Sequence, residues 1–238
     1  MKFFQLGKKS TFNDLCCSGL FGENPNLGWM MFIFGAAGFA FLTFNYVCNG
    51  PLVVYDLWVE ERMHAIAIHC PRFVINLMIF GYHVGYEGMM TLAVGLEVYF
   101  FKKRHWREFV TVLVAFGMEG VLFLGLSNLL ERPRPFTFYE KPVWNGSKYI
   151  PGFPSGHSLA LVICLGFLVY LLVPRINSAF GKYFVTSLAL FLVLYVGFSR
   201  IFLGDHFLTD VIAGYSLGIA WLGFSCTCVE LWFKKHRS

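Results

Sequence analysis

Charge is scarce in this 238-residue chain: Asp, Glu, Lys and Arg make up 14% of it, against 57% hydrophobic and 19% aromatic residues. Ordinary soluble domains carry roughly 25% charge, so a water-surrounded globular fold is excluded as the organising plan. A disulfide framework is missing too. The seven cysteines are an odd number. Cys226 and Cys228 stand two apart in a helical run, facing different ways, which defeats a metal-pair reading. Cys48 and Cys70 share a loop region and can pair if it is oxidised; the plainer reading takes them as small apolar residues. The net charge of +5 comes without a basic patch interleaved with stacking aromatics, so nucleic acid is not an expected partner. Internal repeats and low-complexity segments are also lacking.

What is present is a series of apolar runs near the roughly 20 residues that cross a bilayer. Six spans can be drawn, at about 27–47, within 73–101, and at 109–130, 156–174, 183–198 and 207–233. The expectation is an all-α, six-transmembrane-helix bundle with an interfacial helix between spans one and two. Residues 1–26 form a cytoplasmic tail, 27–233 the domain and 234–238 a second cytoplasmic tail. Six spans put both tails, the 102–107 loop and the 174–182 loop on one side. That side holds 12 of the 19 Lys and Arg residues and the other side 7, which makes the first side cytoplasmic.

Three polar islands interrupt the apolar chain: residues 131–135 (Glu-Arg-Pro-Arg-Pro), 154–157 (Pro-Ser-Gly-His) and 199–210, which contains Ser199, Arg200, His206 and Asp210. The span count places all three on the non-cytoplasmic face, as one composite site requires. The residue types suit a phosphate ester. Arg134 and Arg200 offer planar, bidentate donors to non-bridging oxygens. Ser155 is placed as the N-cap of span four, leaving the Gly156 and His157 amides at a positive helix end where glycine admits a close anion. His206 and Asp210 are four apart on one helical face, so the carboxylate can hold one ring nitrogen while the other points at phosphorus. His157 remains as proton donor to the leaving oxygen and then as base for water. No metal and no cofactor is called for.

These islands resemble the signature of the type-2 phosphatidate phosphatase superfamily, Lys-x6-Arg-Pro, Pro-Ser-Gly-His and Ser-Arg-x5-His-x3-Asp. The resemblance runs over residues 127–210. It implies His206 as the nucleophile of a phosphohistidine intermediate, Asp210 as its orienting partner and His157 as general acid. Arg134, Ser155, Gly156 and Arg200 would form the phosphate cradle. The pattern departs at one position, where the family lysine falls on Ser127; Arg132 is the nearest substitute charge. The implied protein is an integral membrane phosphatase acting, without metal, on undecaprenyl diphosphate or a phosphatidate-type lipid. It would work at the periplasmic or extracellular face of a multi-pass protein, with a bacterial inner membrane the leading setting. A non-catalytic lipid-phosphate binding or transport protein on the same fold is the alternative that Ser127 keeps open.

Polar groups inside the spans complete the reading. His83 and Glu87 lie in span two and Glu119 at similar depth in span three, so the two acids are expected to face the interior, sharing a proton or both answering to His83. They are accessory candidates for the pocket floor. Residues 52–70 read as an amphipathic connector on the membrane surface. Residues 136–153 are expected to fold over the pocket, and Asn145-Gly-Ser fits a glycosylation sequon or a plain turn.

Overall fold

The structure, a computed structural model, describes Phe21, residues 24–135 and residues 151–236. The expected lid at 136–153 and the Asn145 sequon fall largely or wholly outside them, as does most of the N-terminal tail. Eight α-helices carry the described fold: α1 (Pro25–Val47), α2 (Pro51–Ala67), α3 (Arg72–His83), α4 (Met89–Lys102), α5 (Trp106–Leu130), α6 (Gly156–Leu172), α7 (Ala179–Phe202) and α8 (Leu208–Lys235). There is no strand among the described residues.

Five segments are long and apolar enough to cross a membrane: Pro25–Val47, Trp106–Leu130, Gly156–Arg175, Ala179–Phe202 and Leu208–Lys235. At 1.5 Å per residue, even the 20-residue segment reaches about 30 Å, the thickness of the hydrocarbon core. The chain is therefore a multi-pass membrane protein. The stretch expected as span two is helical but not uniform, because a π-helical turn (Val84–Gly88) joins α3 to α4. Glycines at both 85 and 88 remove the side chains that would resist this wider turn, and such turns recur at functional sites.

Burial is concentrated late in the chain. α8 is the central helix, and α1 lies along it where Gly28, Gly35 and Gly223 let the backbones touch; a Cβ at Gly35 would sit 2.5 Å from the Ser216 carbonyl oxygen. Small residues are how lipid-embedded helices approach closely. The outer faces carry large apolar side chains in the open, Phe34, Phe41, Phe180 and Phe191 among them, as a lipid-facing surface should.

A polar cluster pins the end of the bundle remote from the islands. Arg107 and Glu108, at the start of α5, pair at 2.7 Å, and the Tyr170 hydroxyl of α6 donates to Glu230 of α8. Arg107 also lies within electrostatic reach of Tyr170 and Glu230. It is thus a buried structural group and not a loop charge exposed to the cytoplasm.

Candidate active site

The opposite end of the bundle gathers the three islands. The C-terminus of α5 delivers Arg132 and Arg134, with Glu131 closing the helix in the left-handed region at φ 45°. The N-terminus of α6 delivers Ser155, Gly156 and His157. The turn between α7 and α8 delivers His206, and Gly204 there has φ 72°, which a side chain would resist. α6 approaches α8 closely: a Cβ at Gly214 would lie 2.5 Å from the Ser155 carbonyl oxygen. The Ser155 amide donates to the Asp210 carbonyl at 3.0 Å, tying the second island to the third.

Ser155 caps α6 as expected, its hydroxyl accepting from the Ser158 amide at 3.4 Å. Gly156 and His157 then occupy the first positions of the helix, where amides have no intrahelical partner. Arg200 is 1% exposed. Its Nη2 donates to Asp205, its guanidinium lies 4.5 Å from the centre of the Tyr82 ring, and its Nε and Nη1 have no partner among the described residues. Arg134 donates through Nη1 to the Asp205 carbonyl at 3.4 Å. His157 sits beside Tyr82 and Tyr86, with ring centres 4.9 and 5.6 Å away. It also lies within electrostatic reach of Arg200, His206 and Arg134, and its Nε2 has no partner among the described residues. Gly85 in the π turn brings the backbone against this ring: a Cβ there would lie 3.3 Å from His157 Cδ2.

His206 is 1% exposed. Burial, then the positive charges of Arg134 and Arg200, push its pKa well below the ordinary histidine range, against the opposing pull of the Gly152 carbonyl. A neutral ring whose Nδ1–H is committed to a carbonyl presents a lone pair at Nε2. That carbonyl belongs to Gly152, at 2.7 Å, and not to Asp210 as the four-residue spacing suggested; the Asp210 Oδ2 is 3.7 Å from Nδ1. Asp210 instead accepts from Arg132 at 2.5 Å and from the Phe207 amide at 2.8 Å, capping α8. The reason is geometric: residue 206 precedes the helix, so the four-residue spacing does not place both side chains on one helical face.

Arg132 is corrected likewise. It is not a spare charge for phosphate. Besides Asp210 it donates to Asp56 at 2.7 Å and to the Thr209 hydroxyl at 2.8 Å, and its guanidinium lies over Phe207 and Tyr46. Ser127 is fully buried and its hydroxyl has no partner among the described residues. The intramembrane acids do not behave as a pair: Glu87 accepts from His83 at 3.1 Å on a surface where both are about half exposed (54% and 55%). For Glu119, no hydrogen bond or ion pair is present among the described residues.

Sequence reasoning missed what α2 contributes. Asp56 accepts from Arg132, from the Thr209 amide at 3.0 Å and from the Thr209 hydroxyl. Glu60 is buried as well, at 3% exposure. The helix is therefore docked on the site and is more than a connector. Its signal was legible: Asp56 and Glu60 are acids four apart on one helical face of an amphipathic segment. Tyr82, Tyr86 and Asp205 carried no comparable signal. Among the described residues, no three His, Cys, Asp or Glu side chains are placed to hold a metal ion.

Comparison with known proteins identifies relatives of the chain. The family model described as the PAP2 superfamily matches residues 108–234. A phosphatidylglycerophosphatase B from Bacillus subtilis is 33% identical over 175 residues, covering 73% of this chain and 76% of that protein. An undecaprenyl-diphosphatase from Sulfolobus acidocaldarius is 28% identical over 157 residues, 65% of this chain and 70% of the relative. The crystal structure of a transmembrane PAP2-type phosphatidylglycerolphosphate phosphatase from Bacillus subtilis superposes with a TM-score of 0.67 at 25% identity, covering 81% of this chain and 94% of that one. The chain belongs to the PAP2 superfamily and is a phosphatase of that family.

Proposed function

We propose that the protein hydrolyses a lipid phosphate through a phosphohistidine on His206. The observation that carries this reading is the set of buried polar atoms beside His206: Arg200 Nε and Nη1 and His157 Nε2 are without partners among the described residues. Buried donors left unsatisfied are costly, and in native proteins they point to a role. A tetrahedral oxyanion satisfies all three at once. The Gly156 and His157 amides at the start of α6 add donors and a favourable dipole.

His206 Nε2 attacks phosphorus, the phosphorus–oxygen bond to the lipid breaks, and His157 delivers its proton to the departing oxygen. Water, deprotonated by the same His157, then attacks the phosphohistidine, releasing inorganic phosphate and restoring both rings. Arg134 and Arg200 hold the equatorial oxygens as charge redistributes, which is where most of the rate enhancement of phosphoryl transfer arises. Asp210 acts on the imidazole through space and through the cap it builds, with Gly152 holding the ring. Arginine and imidazole meet the charge and proton demands, so the reaction proceeds without a divalent ion.

Counting the α3–π–α4 run as a span gives six, and the distribution of Lys and Arg then favours the non-cytoplasmic face for the site. In that arrangement α2 lies at the interface, the lipid tail stays in the bilayer and the headgroup meets the arginines. The names of the relatives make phosphatidylglycerophosphate and polyprenyl diphosphates the first substrates to try, with phosphatidate beside them. The test is phosphate release from each lipid in detergent with EDTA present, with orthovanadate as inhibitor, for wild type and His206→Ala. Turnover that survives EDTA, is blocked by vanadate and disappears in the variant is the expected result. Turnover retained by His206→Ala refutes the mechanism, and tight lipid-phosphate binding without turnover in wild type makes the protein a binder.

A further inference from the structure

We propose that Glu60 donates a hydrogen bond to the bound phosphoryl group, standing in for the donor that the family pattern places at position 127; the inference rests on the phosphatase reading above. Ser127 is too short to present a cation, and Arg132 is held by Asp56, Asp210 and Thr209. The cradle is therefore one donor short on the α5 side.

α2 supplies a group on the other side. Asp56 anchors the helix to Thr209 and Arg132, and Glu60 follows one turn later on the same face. α2 packs against α7 and α8. Glu60 is 3% exposed, and neither carboxyl oxygen has a partner among the described residues. The group that acts on it most strongly among the charges is Asp205, followed by Asp210 and Asp56. Asp205 is the residue whose side chain holds Arg200 and whose carbonyl holds Arg134. Glu60 is thus buried on the Asp56 face of α2, toward the turn between α7 and α8 that bears Asp205.

The groups around Glu60 decide its protonation. Its own helix carries Asp56 and His64, the turn carries Asp205 paired with Arg200, and α8 carries Asp210, which with Asp56 is paired to Arg132. Burial first, and then Asp205, Asp210 and Asp56, raise the Glu60 carboxyl to about 8. At neutral pH it is an acid with one O–H to give. An arriving phosphate adds further negative charge, which favours the neutral form more strongly still. A neutral carboxyl donating to an oxyanion is a charge-assisted hydrogen bond, short and strong.

The experiment compares wild type, Glu60→Gln and Glu60→Leu, with His206→Ala alongside. It measures kcat and KM on a lipid phosphate across pH, the vanadate inhibition constant at neutral pH, and thermal stability in detergent. Loss of a hydrogen bond to a charged group corresponds to about tenfold or more, so Glu60→Leu should weaken vanadate inhibition and kcat/KM by that factor. Glu60→Gln keeps an N–H and should recover most of the loss. The ratio of wild-type to Glu60→Gln kcat/KM should fall as pH rises through about 8, because only the wild type loses its donor there. Glu60→Leu matching wild type in vanadate inhibition, or a ratio flat from pH 6 to 10, overturns the proposal. Should Glu60→Leu fail to fold, the pH ratio of the glutamine variant decides alone. Activity persisting in His206→Ala would instead sink the phosphatase mechanism, so the two failures are told apart.

Discussion

Asp210→Asn separates two ways in which a carboxylate can serve a catalytic histidine. Had Asp210 held Nδ1, the asparagine variant would present the wrong tautomer, a defect that costs about 10⁴ in kcat where the carboxylate does that work. Here Nδ1 donates to Gly152 at 2.7 Å, with the Asp210 oxygen 3.7 Å away, so the tautomer survives the change. What the variant removes is negative charge from a buried group that pairs with Arg132 at 2.5 Å and caps α8 through the Phe207 amide at 2.8 Å. A hydrogen bond to a charged group contributes about 1.5–3 kcal/mol, and the amide oxygen keeps part of it, so about 2 kcal/mol of stability should be lost. For a chain of this size that is a fall of roughly 4–8 °C in Tm. The electrostatic support lost by the phosphorylated ring should lower kcat by about a hundredfold, comparable to removing one preorganised group. The assays are differential scanning fluorimetry in detergent and steady-state phosphate release. A 10⁴-fold loss of kcat at unchanged Tm would refute the assignment, since it would mean that the carboxylate sets the tautomer after all.

Arg200→Lys keeps the charge but loses the planar fork whose Nε and Nη1 are unpartnered; a loss of about a hundredfold or more in kcat/KM is expected, read together with weaker vanadate inhibition. His206 sets an acid-side signature. Its folded pKa lies below the unfolded value of about 6.5, so its contribution to stability is present above that value and is lost as pH falls toward the folded pKa. Wild-type Tm should therefore drop between pH 7 and 5 by more than that of His206→Ala; equal slopes would contradict the burial argument. Gly214→Val should separate α6 from α8, because even a Cβ there would lie 2.5 Å from the Ser155 carbonyl oxygen. Overpacking of this kind costs about 1–3 kcal/mol, visible as a lower Tm with kcat reduced through the displaced Ser155 cap.

The fold was largely legible because its grammar is simple. Apolar length fixed α1, α5, α6, α7 and α8, and each polar island lies where a helix begins or ends. Ser155 was read correctly as an N-cap because a cap depends only on neighbours in sequence. The π turn was not legible: Val84–Gly88 differs from an α-helical segment only in its glycines, and the close approach of Val196 and the His157 ring to Gly85 is a tertiary contact. Glu87 and Glu119 were matched by depth alone, which leaves rotation about the helix axis unset. The structure turns Glu87 outward to His83 and leaves Glu119 unpaired among the described residues.

The roles given to Asp210 and Arg132 from residue spacing and from charge miss their main contacts for one reason. The two pair with each other, and Arg132 pairs also with Asp56 on a helix far away in sequence. Asp56 lies 76 residues from Arg132 and 153 from Thr209. Asp56 and Asp210 together neutralise Arg132, which under the proposed mechanism leaves Arg134 and Arg200 as the arginines that meet the phosphate. The same contacts hold α2 over the active end. A buried ion cluster of this kind is weak evidence for added stability, since apolar replacements often do as well. Its value here is directional: it occupies Arg132 and fixes the face of α2 that carries Asp56 and Glu60 against α8.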